Sequence, residues 1–177
     1  MIERYKGKSP EILDICTGSG AIAISLAKYI KGAIVDALDI SDICIEKALQ
    51  NAISNGVQDR VSIIKADILK GYDSDKKYDC IVSNPPYIKT DVIPTLMKDV
   101  RDFEPLLALD GGKDGLIFYK KISALAPLLL KVNGTLSFEI GHEQSEEVKC
   151  ILLENGFKDI EFQKDLAGIY RVVIGRL

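Results

Sequence analysis

The chain has 177 residues, of which 47% are hydrophobic and 28% are charged, and its formal net charge is −3. This length and composition predict a single folded domain over residues 1–177 and exclude bulk disorder. Proteins that bind nucleic-acid backbones are normally basic, so the acidic balance argues against such a role. No apolar run approaches the roughly 18 residues of a membrane span and no export signal follows Met1, so we expect a cytoplasmic protein.

Cysteine and histidine usage gives no sign of a metal site. The four cysteines, Cys16, Cys44, Cys80 and Cys150, lack the C-x-x-C spacing of zinc ligands, and His142 is the only histidine. We therefore predict that no metal is bound and that all four thiols are reduced, as is usual inside the cell. We expect His142 to be a surface or helix-capping residue, without a catalytic role.

Strand-like and helix-like segments alternate along the chain. In chain order we predict strand 11–16, helix 20–30, strand 33–39, helix 42–54, strands 61–66 and 77–83, helix 114–126, strand 134–140, helix 143–154, and strands 158–163 and 170–175. This alternation predicts a parallel sheet with helices on both faces. About six residues separate the last two strands, too few for a parallel crossover, so these strands should pair antiparallel. The prediction is an α/β fold with a mostly parallel seven-stranded sheet and a C-terminal antiparallel hairpin.

Two segments interrupt the pattern. Pro127 should end or kink the third predicted helix, because proline lacks the backbone N–H that a helix interior requires. Residues 88–113 form the longest region without clear secondary structure. Loops of this length in compact domains are usually functional or mobile.

A glycine-containing loop connects the first strand to the first helix. Gly18 and Gly20 allow a tight turn and a close approach of the backbone to a ligand. Together with Ala23 they match the dinucleotide fingerprint G-x-G-x-x-G/A, although a tight structural turn also explains the match. Ligands of open parallel sheets bind outside the carboxyl ends of the strands, which is where this loop should lie.

Acidic residues follow the next two strands. Asp39 comes 19 residues after Gly20, where a carboxylate can accept hydrogen bonds from both hydroxyls of a ribose. The alternative is an Asp that caps the helix beginning near Ser41. Asp67 can accept a hydrogen bond from an adenine amino group, with Ile68 against the ring, or it can be another helix cap. These features do not separate a nicotinamide enzyme from other nucleoside binders.

The fourth strand ends in Asn84-Pro85-Pro86-Tyr87. Each proline fixes its own φ and pushes the preceding residue toward extended geometry. The side-chain oxygen of Asn84 and the carbonyl of Pro85 can therefore converge as two acceptors in one rigid frame, with the flat ring of Tyr87 beside them. The alternative is a proline-rich turn in which the asparagine bonds its own backbone.

These four residues resemble the N-P-P-Y motif of amino-methylating class I methyltransferases. From about Ile12 to the C-terminus the chain resembles the peptide chain release factor glutamine methyltransferase family, once called HemK. The similar segments are residues 14–20, 39–41, 82–88, 101–105, 109–115, 138–141, 165–168 and 171–173. The family usually begins with a small helical domain and a linker, so we expect the catalytic domain alone here. Cys16 stands where the family commonly has glycine.

The resemblance implies a Rossmann-like class I fold, S-adenosylmethionine as cofactor with S-adenosylhomocysteine as product, and no metal. The implied reaction is methyl transfer to the side-chain amide nitrogen of a glutamine in a release factor, by a monomer with neither membrane nor nucleic acid as partner. The implied cofactor-binding residues are Cys16, Thr17, Gly18, Ser19, Gly20, Asp39, Ile40, Asp67, Ile68 and Asn84. The implied substrate-binding residues are Asn84, Pro85, Pro86 and Tyr87, and those with a catalytic role are Asn84, Pro85 and Tyr87.

Three other interpretations stay open. An adenine-amino DNA or RNA methyltransferase acts on a base extruded into its pocket, whose exocyclic amine has a similar shape. The acidic balance and the lack of a target-recognition segment count against this function. A catalytically idle module that binds a nucleoside and a partner is the second. A nicotinamide oxidoreductase is the third, although no hydride-transfer acid or base is evident in the sequence.

Overall fold

The computed structural model describes residues 2–177, without the side chains of residues 100, 102 and 103. Strands β1 to β7 are Glu11–Ile15, Ile34–Asp39, Val61–Lys65, Tyr78–Ser83, Leu130–Glu139, Lys158–Lys164 and Tyr170–Arg176. Helices α1 to α6 are Ala21–Tyr29, Asp42–Ser54, Lys98–Phe103, Leu106–Leu109, Ile117–Leu129 and Ser145–Glu154. Short 3₁₀ turns occur at Glu3–Tyr5 and Ile93–Thr95. None of the helices formed by residues 2–177 is long and apolar enough to cross a membrane.

The strands form one seven-stranded sheet in the order β3-β2-β1-β4-β5-β7-β6. The first five strands along the chain pair in parallel, and β7 runs antiparallel to both β5 and β6. The predicted α/β fold with a C-terminal antiparallel hairpin is therefore confirmed. The strand order reverses between β1 and β4, and ligands of such sheets bind at this switch point. The glycine loop follows β1 and the Asn84 motif follows β4, so the topology places both at the switch point.

Two apolar cores lie on opposite faces of the sheet. Successive residues of a strand point to opposite faces, and accordingly Ile12 belongs to one buried cluster while its neighbour Leu13 belongs to the other. The first cluster includes side chains of α1 and α2, and the second includes side chains of α5 and α6. Burial on both faces explains why the central strands are almost continuously apolar.

The predicted end of the third long helix at residue 126 is wrong by three residues. Helix α5 includes Pro127 and ends at Leu129, and the N–H of Leu130 donates to the carbonyl of Ala126. Because Pro127 lies in the last turn, its missing N–H costs the helix only the bond to the carbonyl of Ser123. The helix can therefore run through the proline and lead directly into β5.

Residues 88–113 are more ordered than the sequence indicated. They contain one 3₁₀ turn and the short helices α3 and α4. The segment folds back on the chain that leaves β4: the N–H of Ile88 donates to the carbonyl of Leu109 at 3.0 Å, and the N–H of Gly111 donates to the carbonyl of Ile88 at 2.8 Å. This pairing holds the segment over the carboxyl edge of the sheet.

Candidate active site

A cavity of about 630 Å³ opens at the carboxyl ends of β1 to β4. Its walls come from the loops after these strands and from residues 104–109. Most of the predicted site residues line it: Cys16, Thr17, Gly18, Ser19, Asp39, Ile40, Asp67, Ile68, Asn84, Pro85, Pro86 and Tyr87. The structure therefore brings the two halves of the predicted site, the nucleoside half and the Asn84 half, into one cavity.

The loop after β1 takes left-handed backbone conformations. Cys16 has φ of 61°, Gly18 has 57° and Gly20 has 80°. For a residue with a side chain such geometry costs roughly 1–2 kcal/mol, so Cys16 stands at a position that suits glycine. Gly20 is outside the cavity wall: a Cβ atom there would lie 3.0 Å from Ile24 Cδ1 and 3.2 Å from Ala48 Cβ. Gly20 thus allows α1 and α2 to pack closely behind the loop.

Asp14, in β1, holds this loop from beneath. It is fully buried, and its Oδ2 accepts hydrogen bonds from Thr17 Oγ1 at 2.6 Å and from the N–H of Ala23 at 3.1 Å. Its Oδ1 has no hydrogen-bond partner among the residues that the structure describes. Burial is the main cause that raises the pKa of Asp14 to about 7, and the charge of Asp39 acts in the same direction. The two hydrogen bonds oppose the shift.

The raised pKa of Asp14 predicts a pH-dependent stability. Between about pH 4 and about pH 7 the folded protein keeps a proton that the unfolded chain releases, so the free energy of unfolding should fall as pH rises, by about 1.4 kcal/mol per pH unit. Above about pH 7 this contribution should level off. Asp14→Asn cannot titrate and should lack this part of the slope. Urea unfolding of both proteins across the range measures the difference, and parallel curves would contradict the assignment.

Asp39 ends β2 and connects two loops of the site. Its Oδ2 accepts a hydrogen bond from the N–H of Gly18 at 2.8 Å, and its Oδ1 accepts one from the N–H of Ser41 at 2.9 Å. Ser41 in turn caps α2 by accepting from the N–H of Cys44 at 3.4 Å. Each carboxylate oxygen has a further lone pair. The helix cap is therefore Ser41 and not Asp39, which supports the cap and the glycine loop instead, and ribose binding by Asp39 stays a prediction.

Asp67 and Ile68 follow β3. Asp67 Oδ1 accepts a hydrogen bond from the N–H of Leu69 at 3.1 Å, and its Oδ2 lies 3.4 Å from Lys70 Nζ. Asp67 thus stabilises the turn after β3, but the described residues between β3 and β4 form no helix, so the helix-cap alternative is wrong and adenine binding stays a prediction. Ile68 is buried in the cavity wall beside it. The apolar side chain of Ile68 thus lies next to the hydrogen-bond acceptor Asp67, a combination that suits an adenine ring with its amino group.

The Asn84 motif forms the other end of the cavity. Asn84 is exposed, the two prolines after it are buried, and Tyr87 is half-buried. Just before the motif, Ser83 Oγ donates to the carbonyl of Ile15 at 2.6 Å. This bond fixes the start of the motif against β1, so the exposed amide of Asn84 projects from a rigid base.

The charged side chains that line the described cavity wall are all acidic. Three carboxylates, Asp39, Asp67 and Glu104, line it, and no lysine or arginine does so among residues 2–177. Such a wall favours a positively charged ligand and disfavours phosphate groups.

Burial raises the pKa of Tyr87, Glu139 adds to the shift and Arg171 opposes it. The Tyr87 ring is therefore neutral at physiological pH.

The four cysteines differ in environment. All are free thiols; Cys80 is buried, Cys16 and Cys44 are partly exposed and Cys150 is exposed. Burial is the main cause that raises the pKa of Cys16 and of Cys80 to about 12. Because the thiolate is the reactive form, iodoacetamide at neutral pH should modify Cys150 and spare Cys16 and Cys80 in the folded protein. Mass spectrometry after a short exposure tests this, and equal labelling of Cys16 and Cys150 would contradict it.

Sequence reasoning missed part of the cavity wall. The missed residues include Cys44, Glu104, Pro105, Leu107, Ala108, Leu109 and Phe118. Most belong to the long segment over the sheet edge, which shows no hydrophobic periodicity. The length of that segment and its resemblance to the family over residues 101–105 were the available signals. Within that stretch, the side chains of Asp102 and Phe103 lie outside the described residues.

This sheet has the strand order and terminal antiparallel hairpin of the class I methyltransferase fold, with the cavity at the switch point, and solved methyltransferase structures share the fold. A methyltransferase from Pyrococcus furiosus superposes with a TM-score of 0.71 at 19% identity, over 97% of this chain and 76% of that structure. A ribosomal protein L11 methylase from Lactobacillus delbrueckii subsp. bulgaricus gives 0.69 at 26% identity, over 99% and 74%. Residues 2–100 match the family described as Methyltransferase small domain, and the chain belongs to this family.

Curated relatives are more similar in sequence. The release factor glutamine methyltransferase of Clostridium acetobutylicum is 46% identical over 165 residues, which are 93% of this chain and 58% of that protein. The protein of the same name from Fusobacterium nucleatum subsp. nucleatum is 44% identical over 96% of this chain and 48% of its own length. The chain thus spans about half to three fifths of the length of these two relatives.

Proposed function

We propose that this chain transfers a methyl group from S-adenosylmethionine to the side-chain amide nitrogen of a glutamine in a peptide chain release factor. The observation that carries the proposal is the rigid Asn84 motif at one end of an acidic cavity whose other end has the side chains expected around a nucleoside. Relatives named release factor glutamine methyltransferase support the choice of substrate. The proposal includes action as a monomer in the cytoplasm, with the release factor as the protein partner.

The residues of the cavity fit S-adenosylmethionine by their chemistry. Asp39 would accept the ribose hydroxyls, Asp67 the adenine amino group, and Ile68 would contact the adenine ring. The backbone of residues 16–19 would border the rest of the cofactor. Cationic side chains are missing from the described wall, which suits a cofactor with a positive charge and no phosphate. When bound, S-adenosylmethionine supplies an electrophilic methyl group on a sulfonium.

Positioning is the main task of the protein in this reaction. The amide nitrogen of glutamine is a poor nucleophile, because its lone pair is delocalised into the carbonyl. The side-chain oxygen of Asn84 and the carbonyl of Pro85 would each accept one N–H of that amide and so fix its orientation. Both acceptors stabilise the positive charge that grows on the nitrogen. The neutral ring of Tyr87 packs against the flat amide, and the product loses its proton to water.

The acidic wall also separates this proposal from its rivals. A nicotinamide dinucleotide carries a pyrophosphate, which usually binds free backbone N–H groups at a helix N-terminus. Here the N–H of Gly18, in the loop before α1, donates to Asp39, and the N–H of Ala23, in the first turn of α1, donates to Asp14. A nucleic-acid substrate would bring backbone phosphates toward the same carboxylates, which is unfavourable. A protein glutamine brings no such charge into the cavity.

The test is transfer of a tritium-labelled methyl group from S-adenosylmethionine, offered in parallel to release factor, RNA and DNA. We expect label on the release factor and none on the nucleic acids. A release factor with its acceptor glutamine replaced by glutamate is the matched control, and it should stay unlabelled. Label on RNA or DNA would favour the adenine-amino activity. Tight cofactor binding without label on any substrate would indicate a catalytically idle module.

A further inference from the structure

The side-chain amide of Gln144, just before α6, joins several segments around the motif. Its Nε2 donates to the carbonyl of Tyr87 at 3.0 Å and to the carbonyl of Gly115 at 3.2 Å. Its Oε1 accepts from the N–H of Gly141 at 3.0 Å and lies 3.3 Å from the hydroxyl of the buried Tyr119. The donor end of the amide thus faces two acceptors, which uses both of its N–H groups, while its acceptor end is held mainly by the N–H of Gly141, because the single proton of the Tyr119 hydroxyl lies closer to the carbonyl of Glu139, at 3.0 Å.

The backbone at Tyr87 is enclosed on its other sides. A Cβ atom at Gly115 would lie 2.5 Å from the Tyr87 carbonyl oxygen, and one at Gly111 would lie 2.7 Å from Tyr87 Cα. Real Cβ atoms essentially never come so close, so only glycine allows this packing. No other hydrogen bond to the Tyr87 carbonyl is found within the described part of the chain. Gln144 is therefore the group that satisfies this carbonyl and fixes its direction.

The two ends of the motif are thus both anchored. Ser83 holds the start through its bond to the carbonyl of Ile15, and Gln144 holds the end through the carbonyl of Tyr87. Two consecutive prolines lie between these anchors, and they leave few free dihedral angles. A change in the direction of the Tyr87 carbonyl can be absorbed only by the backbone angles of Tyr87 and the ψ of Pro86, and the part that these angles do not absorb moves the Pro85 carbonyl and Asn84.

We propose that Gln144 is a positioning residue for methyl transfer. Through its bond to the Tyr87 carbonyl, it orients the acceptor groups of Asn84 and Pro85. The inference rests on the proposed function and adds to it a residue remote from the reacting atoms. Glutamate has the same length, but its ionised carboxylate offers no donor to either carbonyl. When protonated, it regains one donor. This difference gives the proposal a pH-dependent signature.

The kinetic test compares Gln144→Glu and Gln144→Met with the parent at about pH 8 and about pH 6. At the higher pH both variants should lose roughly tenfold or more in kcat, with the KM for S-adenosylmethionine unchanged within about twofold. The carbonyls of Tyr87 and Gly115 would face the introduced carboxyl and disfavour its ionised form, which should raise its pKa well above the ordinary value. Relative to the parent, Gln144→Glu should therefore recover at least about threefold at the lower pH, whereas Gln144→Met, which fills similar space without a donor, should not. Gln163→Glu on the exposed face of β6 is the matched control and should behave like the parent.

A second measurement needs neither cofactor nor substrate. The N–H groups of Ile88 and Gly111 take part in the pairing just after the motif, and their hydrogen exchange should be at least about fivefold faster in Gln144→Glu than in the parent. Unchanged exchange, or a parental kcat in both Gln144 variants, would overturn the proposal. A parent that transfers no methyl group would overturn the proposed function instead, and the exchange rates would still decide whether Gln144 holds the motif.

Discussion

Asn84→Asp is expected to lower the rate of methyl transfer by roughly 100-fold or more, about 2.7 kcal/mol, while the fold stays intact. The substitution keeps size and shape, and the exposed position of Asn84 tolerates a charge without unfolding. The new carboxylate must lose its water when the substrate amide closes the cavity, which is costly. The amide N–H donor of Asn84 is also lost.

The expected loss is in the chemical step rather than in cofactor binding. A carboxylate at this position attracts the positive sulfonium, so the affinity for S-adenosylmethionine should stay equal or rise. That charge disappears as the methyl group moves, so the ground state is stabilised more than the transition state. A slower reaction with undiminished cofactor affinity is therefore the signature of this substitution.

Single-turnover measurement at saturating cofactor tests the prediction. Asn133→Asp makes the same chemical change at an exposed position outside the main cavity and should leave the rate within about twofold of the parent. If Asn84→Asp also stayed within about fivefold, Asn84 would merely shape the turn. The amide-positioning mechanism would then have to be abandoned.

The fold was predictable because its determinants are local. Each central strand is a short apolar run that ends at polar or glycine-containing residues. The length of the connection after a strand decides whether a parallel crossover is possible. The short link between β6 and β7 alone required an antiparallel pair, which the structure confirms. The end of α5 was placed wrongly because the effect of Pro127 depends on its distance from the helix end, which the sequence does not mark.

The part of the candidate site that comes directly after the parallel strands could be predicted from the sequence. Residues that come directly after parallel strands must meet at one edge of the sheet, so Asp39 and Asn84 could be placed together from chain order alone. Gln144 could not be found in this way. Its amide contacts a carbonyl 57 positions earlier in the chain, and no periodicity links the two. The bonds by which Asp39 holds the N–H groups of Gly18 and Ser41 likewise appear only in the structure.

Asp39→Ala is expected to weaken S-adenosylmethionine binding by roughly tenfold or more, about 1.4 kcal/mol. Charge-assisted hydrogen bonds to two ribose hydroxyls would be lost, and such bonds contribute about 1.5–3 kcal/mol each in favourable cases. The substitution also removes the acceptor of the Gly18 and Ser41 N–H groups. The glycine loop should therefore loosen, and the free energy of unfolding without ligand should fall by about 1–3 kcal/mol.

Calorimetric titration and urea unfolding separate the two effects. Asp39→Asn keeps one carbonyl acceptor and should lose less of both affinity and stability than Asp39→Ala. Asp42→Ala removes the nearby carboxylate that pairs with Lys65 outside the cavity, and it should leave the affinity within about twofold of the parent. If Asp39→Ala bound S-adenosylmethionine as tightly as the parent does, Asp39 would only hold the glycine loop and the N–H of Ser41. Tight binding of NADH by the parent would place a dinucleotide in this cavity and refute the cofactor assignment.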